Sequence, residues 1–453
     1  MNKIHRRTFL QTGVKAAMAW PILSWPVLNK PGLQGPYKVG LIGAGWYGKS
    51  DLFRLMQVAD IQTLGICDPD RQMLEEAANL ISARQPEKGR PKLFRDYREM
   101  LAADQYDIIL IGSPDHWHAL QAIAAIEHGA NVYLQKPISV DVLEGEAILQ
   151  AARKKGAVVQ VGLQRRSTPH LIEAKKNIVD TGMLGKIAHV EMCCYYHMRF
   201  NAQPPVQTVP EYLDYDLWTG PAPMIPYNGV PHRRWRGFME YSNGIMGDMC
   251  VHMFDAVRWM LQLGWPTEVR STGGIYVQKD SIANIADTQT ALFSYPELDC
   301  VWNHRSWGTP VDPEYPWAFK IYGEKGTLAA SVMKYDFTPT DRSQQPIHGE
   351  VVYEREAYPE DLKEKDIELH TAPATRGQMK DFLDASNHTE RPIADIEEGH
   401  ISTASCILAN MSMQLGRPLR YDPLTKTIPG DEEATRLLAR PYREGYSRPV
   451  LDI

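Results

Sequence analysis

The sequence predicts an α/β protein in two parts: a parallel, helix-wrapped sheet, then an α+β domain around a large, open, mainly antiparallel sheet. Short, largely apolar runs alternate with helical patterns between residues 37 and 162, as strands buried on both faces require. A glycine-rich turn follows the first of these runs. From residue 163 the alternation stops, and strand-like runs follow one another at hairpin spacing between 267 and 350, the mark of an antiparallel sheet. A length of 453 residues, with 43% hydrophobic and 23% charged, suits a globular chain of two domains or slightly more. The net charge of -6 and the lack of a long basic stripe give no electrostatic case for nucleic acid.

Residues 1–36 stand apart from the fold. Arg6-Arg7-Thr8-Phe9-Leu10 precedes an uncharged apolar stretch, Ala16–Leu28, the pattern of a twin-arginine export signal. That stretch is too short, and too interrupted by Pro21 and Pro26, to span a membrane. The expectation is a periplasmic protein without stable membrane insertion, cleaved between Ala19 and Gly35, or a cytoplasmic one if the signal is not functional.

The first strand, Val39–Ile42, enters Gly43-Ala44-Gly45-Trp46-Tyr47-Gly48, which has the spacing G-x-G-x-x-G. Gly43 permits a tight turn, Gly45 lets the backbone approach a pyrophosphate, and Gly48 lets helix and strand pack closely. The following helix would aim its free N–H groups at the phosphates. A second run, Ile61–Cys67, ends in Asp68, about 20 residues on, where an acid takes the ribose hydroxyls of NAD. This predicts a Rossmann dinucleotide-binding domain over 37–162. Asp68 favours NAD over NADP, although Arg71 could meet a 2′-phosphate.

Helices over Arg71–Ala83 and Tyr97–Ala102, a strand within Tyr106–Gly112, a helix over Ala119–His128 and a strand leading to Gln135-Lys136-Pro137 continue the unit. A helix over Leu143–Lys155 and a strand over Val158–Val161 complete it. Ligands collect at the carboxyl ends of parallel strands. The glycine turn, Asp68, the loop Ser113-Pro114-Asp115-His116-Trp117-His118 and Gln135–Pro137 all lie there, and are expected to face one crevice.

In the second domain, 163–420, a helix over Pro169–Thr181 and a strand over Ile187–Tyr196 precede a Pro- and aromatic-rich segment, Met198–Asn243. Its Trp and Tyr rings could stack on sugar faces and Arg233, Arg234 and Arg236 could bind hydroxyls or a carboxylate; equally, all could pack a long loop. Asp248 and His252 stand at i and i+4 at the start of a helix running to Leu261, so both project from one face. Strands over Val269–Tyr276, Thr288–Tyr295, Cys300–Ser306, Ala318–Tyr322 and Thr327–Ser331 build the sheet, and helices over Arg376–Ser386 and Glu397–Leu415 follow. The tail, 421–453, has little periodicity and is expected to wrap the body or a neighbouring subunit. Six scattered cysteines without a C-x-x-C pair predict neither a disulfide framework nor a metal site.

The glycine turn, Ser113–His118, Gln135-Lys136-Pro137, Gly247-Asp248-Met249-Cys250-Val251-His252 and Ile321-Tyr322-Gly323-Glu324-Lys325-Gly326 together resemble the Gfo/Idh/MocA family. This is the glucose-fructose oxidoreductase and inositol dehydrogenase group, here in its exported twin-arginine form. The resemblance runs from residue 38 to about 420. It implies hydride transfer between NAD(P) and a secondary hydroxyl or keto group of a sugar, polyol or glycoside. It implies catalytic roles for Lys136, His252 and Asp248: His252 shuttles the proton, Lys136 polarises the reacting oxygen, and Asp248 orients substrate or imidazole. Cofactor contacts are expected from Gly43, Gly45, Gly48, Trp46, Tyr47, Asp68, Ser113, Pro114, His116, His118, Gln135 and Lys136. Substrate contacts are expected from Lys136, Arg165, Trp235, Arg236, Asp248 and His252. A homo-oligomer, dimer or tetramer, through the C-terminal sheet is also implied.

One residue departs from the family pattern, which usually has Glu where Gln135 stands. The charge beside Lys136 is lost, which either lowers the lysine pKa or alters a hydrogen bond. Some exported relatives are glycosidases that keep NAD bound, oxidise the sugar transiently, eliminate the aglycone, add water and reduce again. A permanently bound cofactor suits an exported protein, but the Gly-His-Gly-Gly element of the N-acetylgalactosaminidase group is absent. The intact Lys136, Asp248 and His252 argue against a non-catalytic sugar or nucleotide sensor.

Overall fold

The computed structural model describes residues 36–195, 203–365, 367–388 and 390–450; the expected export signal lies outside them. Six parallel strands form the first sheet: β1 (Tyr37–Ile42), β2 (Ile61–Cys67), β3 (Lys92–Phe94), β4 (Ile108–Ile111), β5 (Asn131–Leu134) and β6 (Val159–Val161). Their order, 3-2-1-4-5-6, is that of a dinucleotide-binding fold whose ligand crevice opens between β1 and β4. Every residue of β4 and β5 is buried, which explains the unbroken apolar run of β4 and the run Val132–Leu134 of β5.

Alternate residues of these strands feed two cores. Val39, Leu41, Ile108, Leu110 and Tyr133 face one way, and Ile42, Ile109, Ile111, Val132 and Leu134 the other. The second face is covered by the helices Tyr97–Ala103, His118–Glu127 and Val142–Lys155. The first is covered by Trp46–Val58 and Arg71–Arg84 and, beyond them, by the helix Ala372–His388, which contributes Met379, Phe382 and Leu383. That last helix belongs by sequence position to the second domain. The crossovers after β4 and β5 both lie on the other face, so the apolar surface left bare is closed by a distant helix.

The second sheet has eight strands: β7 (Ile187–Cys194), β8 (Glu268–Gly274), β9 (Thr288–Tyr295), β10 (Leu298–Arg305), β11 (Trp317–Gly323), β12 (Gly326–Ser331), β13 (Lys334–Pro339) and β14 (Ile347–Glu350). Their order is 14-13-12-11-7-10-9-8, antiparallel throughout except where β7 pairs with β10. Alternation is clear in β7, where Val190, Met192 and Cys194 point inward. Strands β13 and β14 are additions to the expected set. Both are short and largely polar, and Tyr335 and Phe337 alone hold the inward face of β13. All six cysteines are free thiols.

Two helices differ in kind from expectation. The segment after Pro169 is α-helical only to Ala174 and continues as a π-turn over Lys175–Val179. Asp248 is not in the first turn of an α-helix but in a π-turn, Met246–Cys250, that leads into the helix Val251–Leu261. The described part of the tail runs over the body of its own chain. The Arg448 guanidinium donates to both oxygens of Asp141 (2.6 and 2.9 Å) and Tyr442 Oη to Glu144 (2.6 Å). No described helix is long and apolar enough to cross a membrane.

Candidate active site

The three glycines of the first turn act differently in space. A Cβ on Gly43, whose φ is +89°, would lie 2.4 Å from the Ser113 nitrogen, and one on Gly48 would lie 2.0 Å from the Gly43 oxygen. Those two close the turn against the chain itself. A Cβ on Gly45 would meet nothing within 4 Å; it would project into the space a pyrophosphate fills. Gly45 is also the N-cap of the helix Trp46–Val58, which has no side-chain cap and no acid in its first turn, leaving its positive end for an anion. The residues present therefore fit a dinucleotide.

Gly43, Gly45, Trp46, Tyr47, Asp68, Ser113 and Pro114 line a cleft of about 290 Å³. Asp68 is buried. One of its oxygens accepts from Ala44 N (2.9 Å) and the other from Asp70 N (2.9 Å), so it ties the glycine turn as well as walling the cleft. Burial pushes its carboxyl up to about 6.

The outer wall of this cleft comes from the aromatic segment: Leu217, Trp218, His232, Arg233, Trp235 and Arg236. Several bonds dock that segment on the nucleotide domain. Arg71 N donates to Tyr212 O (2.9 Å), Asp214 N to Pro69 O (3.0 Å) and Trp117 Nε1 to Trp218 O (2.9 Å), while His232 Nε2 lies 3.3 Å from Asp70 Oδ2. Most of its rings pack on one another: Tyr215 stacks on Trp218 at 5.5 Å, and Phe238 and Tyr241 join the same small core. Trp235 faces the nucleotide cleft, with the Arg236 guanidinium 4.1 Å from its ring centre; it does not line the cavity around Lys136. His116 lines neither space. Its Nε2 donates to Trp218 O at 3.1 Å, and burial lowers its pKa to about 4. It anchors the segment instead of touching the cofactor.

A second cavity, of about 430 Å³, shares Trp46, Tyr47, Gly112 and Ser113 with the cleft. Lys136 enters it from the loop after β5, following which the Lys136–Pro137 bond is cis. Its Nζ donates to Asp248 Oδ1 (2.5 Å) and to Asp248 O (2.9 Å). Arg236 Nε stands 3.4 Å from the same Asp248 oxygen. Burial acts to raise the Asp248 carboxyl, but the Lys136 and Arg236 charges hold it below its usual range. His252 is kept neutral by burial first, then by the charges of Lys136, Arg165 and Arg236. Its ring meets Trp317 edge-on at 5.7 Å. The π-turn that holds Asp248, directly before the helix that holds His252, is a feature often found at functional sites.

Gln135 does not serve Lys136 as a charge partner. Its Nε2 donates to the buried Asp51 carboxylate (2.7 Å), and burial pushes Asp51 up to about 7. The lysine finds its counter-charge at Asp248. His118 spans the two strand-end loops, with Nδ1 2.7 Å from Pro137 O and Nε2 2.9 Å from Ser113 O. Arg165 is buried in the cavity wall, 5.3 Å from the Trp317 ring centre.

Other residues join the cavity without having been singled out from sequence: Asp115, Trp317, Met333, Glu368 and His370. Asp115 lies within the Ser113–His118 motif, where its type was the available signal; burial pushes its carboxyl well up. Glu368 and His370 sit in no recognisable pattern. Among the described residues no group of three or more His, Cys, Asp or Glu side chains could hold a metal ion.

Comparison with known proteins agrees with this geometry. Residues 37–163 match the Gfo/Idh/MocA oxidoreductase family's NAD-binding Rossmann fold, and residues 170–284 with 344–448 match its C-terminal alpha/beta domain. The myo-inositol 2-dehydrogenase of Thermotoga maritima is 23% identical over 352 residues, covering 75% of this chain and 91% of that protein. A glycosyl hydrolase family 109 protein of Shewanella pealeana is 26% identical over 223 residues, 44% of this chain and 47% of that protein, so the chain matches about half its length. Levoglucosan dehydrogenase, solved with NADH and levoglucosan, shares the fold with a TM-score of 0.63 at 17% identity, over 85% of this chain and 99% of that one. With a nucleotide cleft opening onto a lysine–aspartate–histidine cavity and both domains matched in order, the chain is an NAD-binding oxidoreductase that belongs to the Gfo/Idh/MocA family.

Proposed function

We propose that this enzyme transfers hydride between NAD and a secondary hydroxyl or keto group of a sugar, polyol or glycoside. The observation that carries this reading is the convergence of Lys136, Asp248 and His252 in a cavity that shares a wall with the nucleotide cleft. Bound NAD supplies the hydride acceptor. The chain must then move the hydroxyl proton and stabilise charge on the oxygen. The neutral His252 imidazole has an acceptor nitrogen for that proton. The Lys136 ammonium stabilises negative charge on the oxygen, and Asp248 holds the ammonium in place through two contacts on one residue.

A redox-neutral glycosidase cycle is the second reading. The docking of residues 203–243 as an outer wall of the nucleotide cleft favours it, since that wall adds contacts that would help retain NAD between turnovers. Protein purified without added cofactor and mixed with sugars or aryl-glycosides separates the two. An absorbance rise at 340 nm that stops after one turnover supports a dehydrogenase with retained NAD. Continuous aglycone release without net change at 340 nm supports the glycosidase, and no response with added NAD sinks both.

Export to the periplasm rests on Arg6-Arg7 and the apolar stretch after it. Assembly through the second sheet rests on its half-exposed outer face, where Leu292 of β9 and Val301 of β10 form a cross-strand pair. Light scattering on the mature protein tests the assembly.

The charges around His252 give a pH prediction. Arg236→Gln removes one of three cations that oppose imidazole protonation, so the His252 pKa should rise toward the ordinary value of about 6.5. The acid limb of the kcat/KM profile is expected to move up in pH by the same step. A limb that stays in place would mean His252 is not the group that titrates.

A further inference from the structure

Glu368 and His370 reach the cavity from the run 351–371, between β14 and the helix Ala372–His388. That run is stapled to the helix Trp46–Val58 of the nucleotide domain. Arg54, 1% exposed, pairs with Glu364 at 2.5 Å and lies 3.5 Å from Asp361. Arg376 pairs with Glu354 and with Asp361, each at 2.7 Å, and Gln57 Nε2 donates to Asp361 at 2.7 Å. Burying two guanidinium groups in this way costs desolvation that the pairing only repays in good geometry. Its effect is to fix where the chain enters the cavity.

Glu368 is half-buried there. Its carboxylate is 3.5 Å from the Thr371 hydroxyl, long for a bond of that type. The Glu368 charge acts on Tyr47, whose phenol is pushed up first by burial and then by Glu368. Burial and then the Arg165 charge lower the His370 pKa, and the Glu368 charge opposes them. A carboxylate, an imidazole and the Trp317 indole thus line one cavity with Lys136 and His252, yet the hydride and proton steps use none of the three.

We propose that Glu368, with His370, is the subsite that recognises a pair of neighbouring hydroxyls on the sugar, away from the carbon that reacts. This rests on the sugar oxidoreductase reading above. An ionised carboxylate is acceptor-only and takes two hydroxyl donors at once, while a neutral imidazole offers one donor and one acceptor. The Trp317 ring gives the apolar C–H edges of the sugar a surface. A site built to bond hydroxyls rejects analogues that lack them, because its own polar groups are then left unpaired. Glu368 and His370 would therefore set which sugar is accepted, while Lys136 and His252 act on whichever oxygen is presented.

The test uses the full NAD-loaded protein with myo-inositol, D-glucose and their monodeoxy derivatives. Turnover is read at 340 nm and binding by tryptophan fluorescence. Glu368→Gln is expected to raise KM for the accepted sugar about 10- to 100-fold, the loss of a hydrogen bond to a charged group, with kcat and NADH affinity unchanged. The preference for the parent sugar over one deoxy derivative should shrink by a similar factor. His370→Asn, which keeps a donor and an acceptor, should give a smaller rise in KM and serves if Glu368→Gln does not fold. Wild-type turnover with an unmoved KM in both variants overturns the subsite alone. So does a fall in kcat at constant KM. Wild-type protein that binds NADH but neither binds nor oxidises any of these sugars overturns the subsite together with the sugar reading.

Discussion

Replacing Lys136 with Met is expected to lower kcat/KM about 10²- to 10⁴-fold, the range for a positioned proton-transfer or charge-stabilising group, with little change in NADH binding. Lys136 lines the second cavity and not the nucleotide cleft, where the sequence placed it as a cofactor contact. Met keeps much of the side-chain length and loses the charge. Two effects follow at the same atoms. The reacting oxygen loses the ammonium beside it, and Asp248 loses the cation bonded at 2.5 Å, keeping only Arg236 at 3.4 Å. Breaking a buried pair from one side costs about 3–5 kcal/mol. The cost here should fall below that range, because the two side chains retain 9% and 11% exposure and Arg236 remains. A thermal melt therefore accompanies the kinetics, so that lost activity is not mistaken for lost fold. Lys136→Arg keeps the charge, but its planar fork is poorly suited to place one nitrogen between Asp248 O and Oδ1, and an intermediate rate is expected. A folded Lys136→Met enzyme that loses less than about tenfold would remove Lys136 from the chemistry.

Much of the site could be read from the sequence because the chemistry sits where local pattern and fold rule coincide. Gly43, Asp68, Ser113 and Lys136 each follow a buried strand, and the ends of parallel strands converge by topology alone. Asp248 and His252 were readable as a pair through their spacing, although Asp248 sits in a π-turn and His252 in the α-helix that follows it. What stayed hidden depends on contacts far apart in sequence. His116 stands in the motif beside His118, yet its ring turns to Trp218, over a hundred residues away. Trp235 could have faced either space, and only the docking of its segment places it on the nucleotide side. Glu368 depends on Arg54 and Arg376 holding its loop, and no periodicity records that. The helix Ala372–His388 shows the same limit at the level of the fold. Its apolar face is legible, but the sheet it covers is not its neighbour in sequence.

Gly48→Ala is expected to be strongly destabilising. The new Cβ would stand 2.0 Å from the Gly43 carbonyl oxygen and 3.3 Å from Leu41 Cδ1. The first contact is with backbone, which cannot swing aside. Gly112 closes the same crossing, since a Cβ there would lie 2.8 Å from Gly48 Cα. Relief requires the helix Trp46–Val58 to move off β1 and β4, which disturbs the packing of Leu52 and Leu55 in the core beneath. Overpacking a core typically costs about 1–3 kcal/mol, and a backbone-on-backbone contact belongs at the top of that range or above it. Lower soluble yield and a depressed melting temperature should follow. Gly45→Ala is the matched control, because its Cβ meets no protein atom within 4 Å. Its melting curve should overlay the wild type, while NADH affinity falls as the methyl takes space from the pyrophosphate. If Gly48→Ala melts like the wild type, the close crossing of helix and strands is wrong. If Gly45→Ala binds NADH normally, the phosphates do not lie on that turn. The two outcomes are independent because one glycine is needed by the fold and the other by the ligand, the division of roles that the G-x-G-x-x-G spacing predicts.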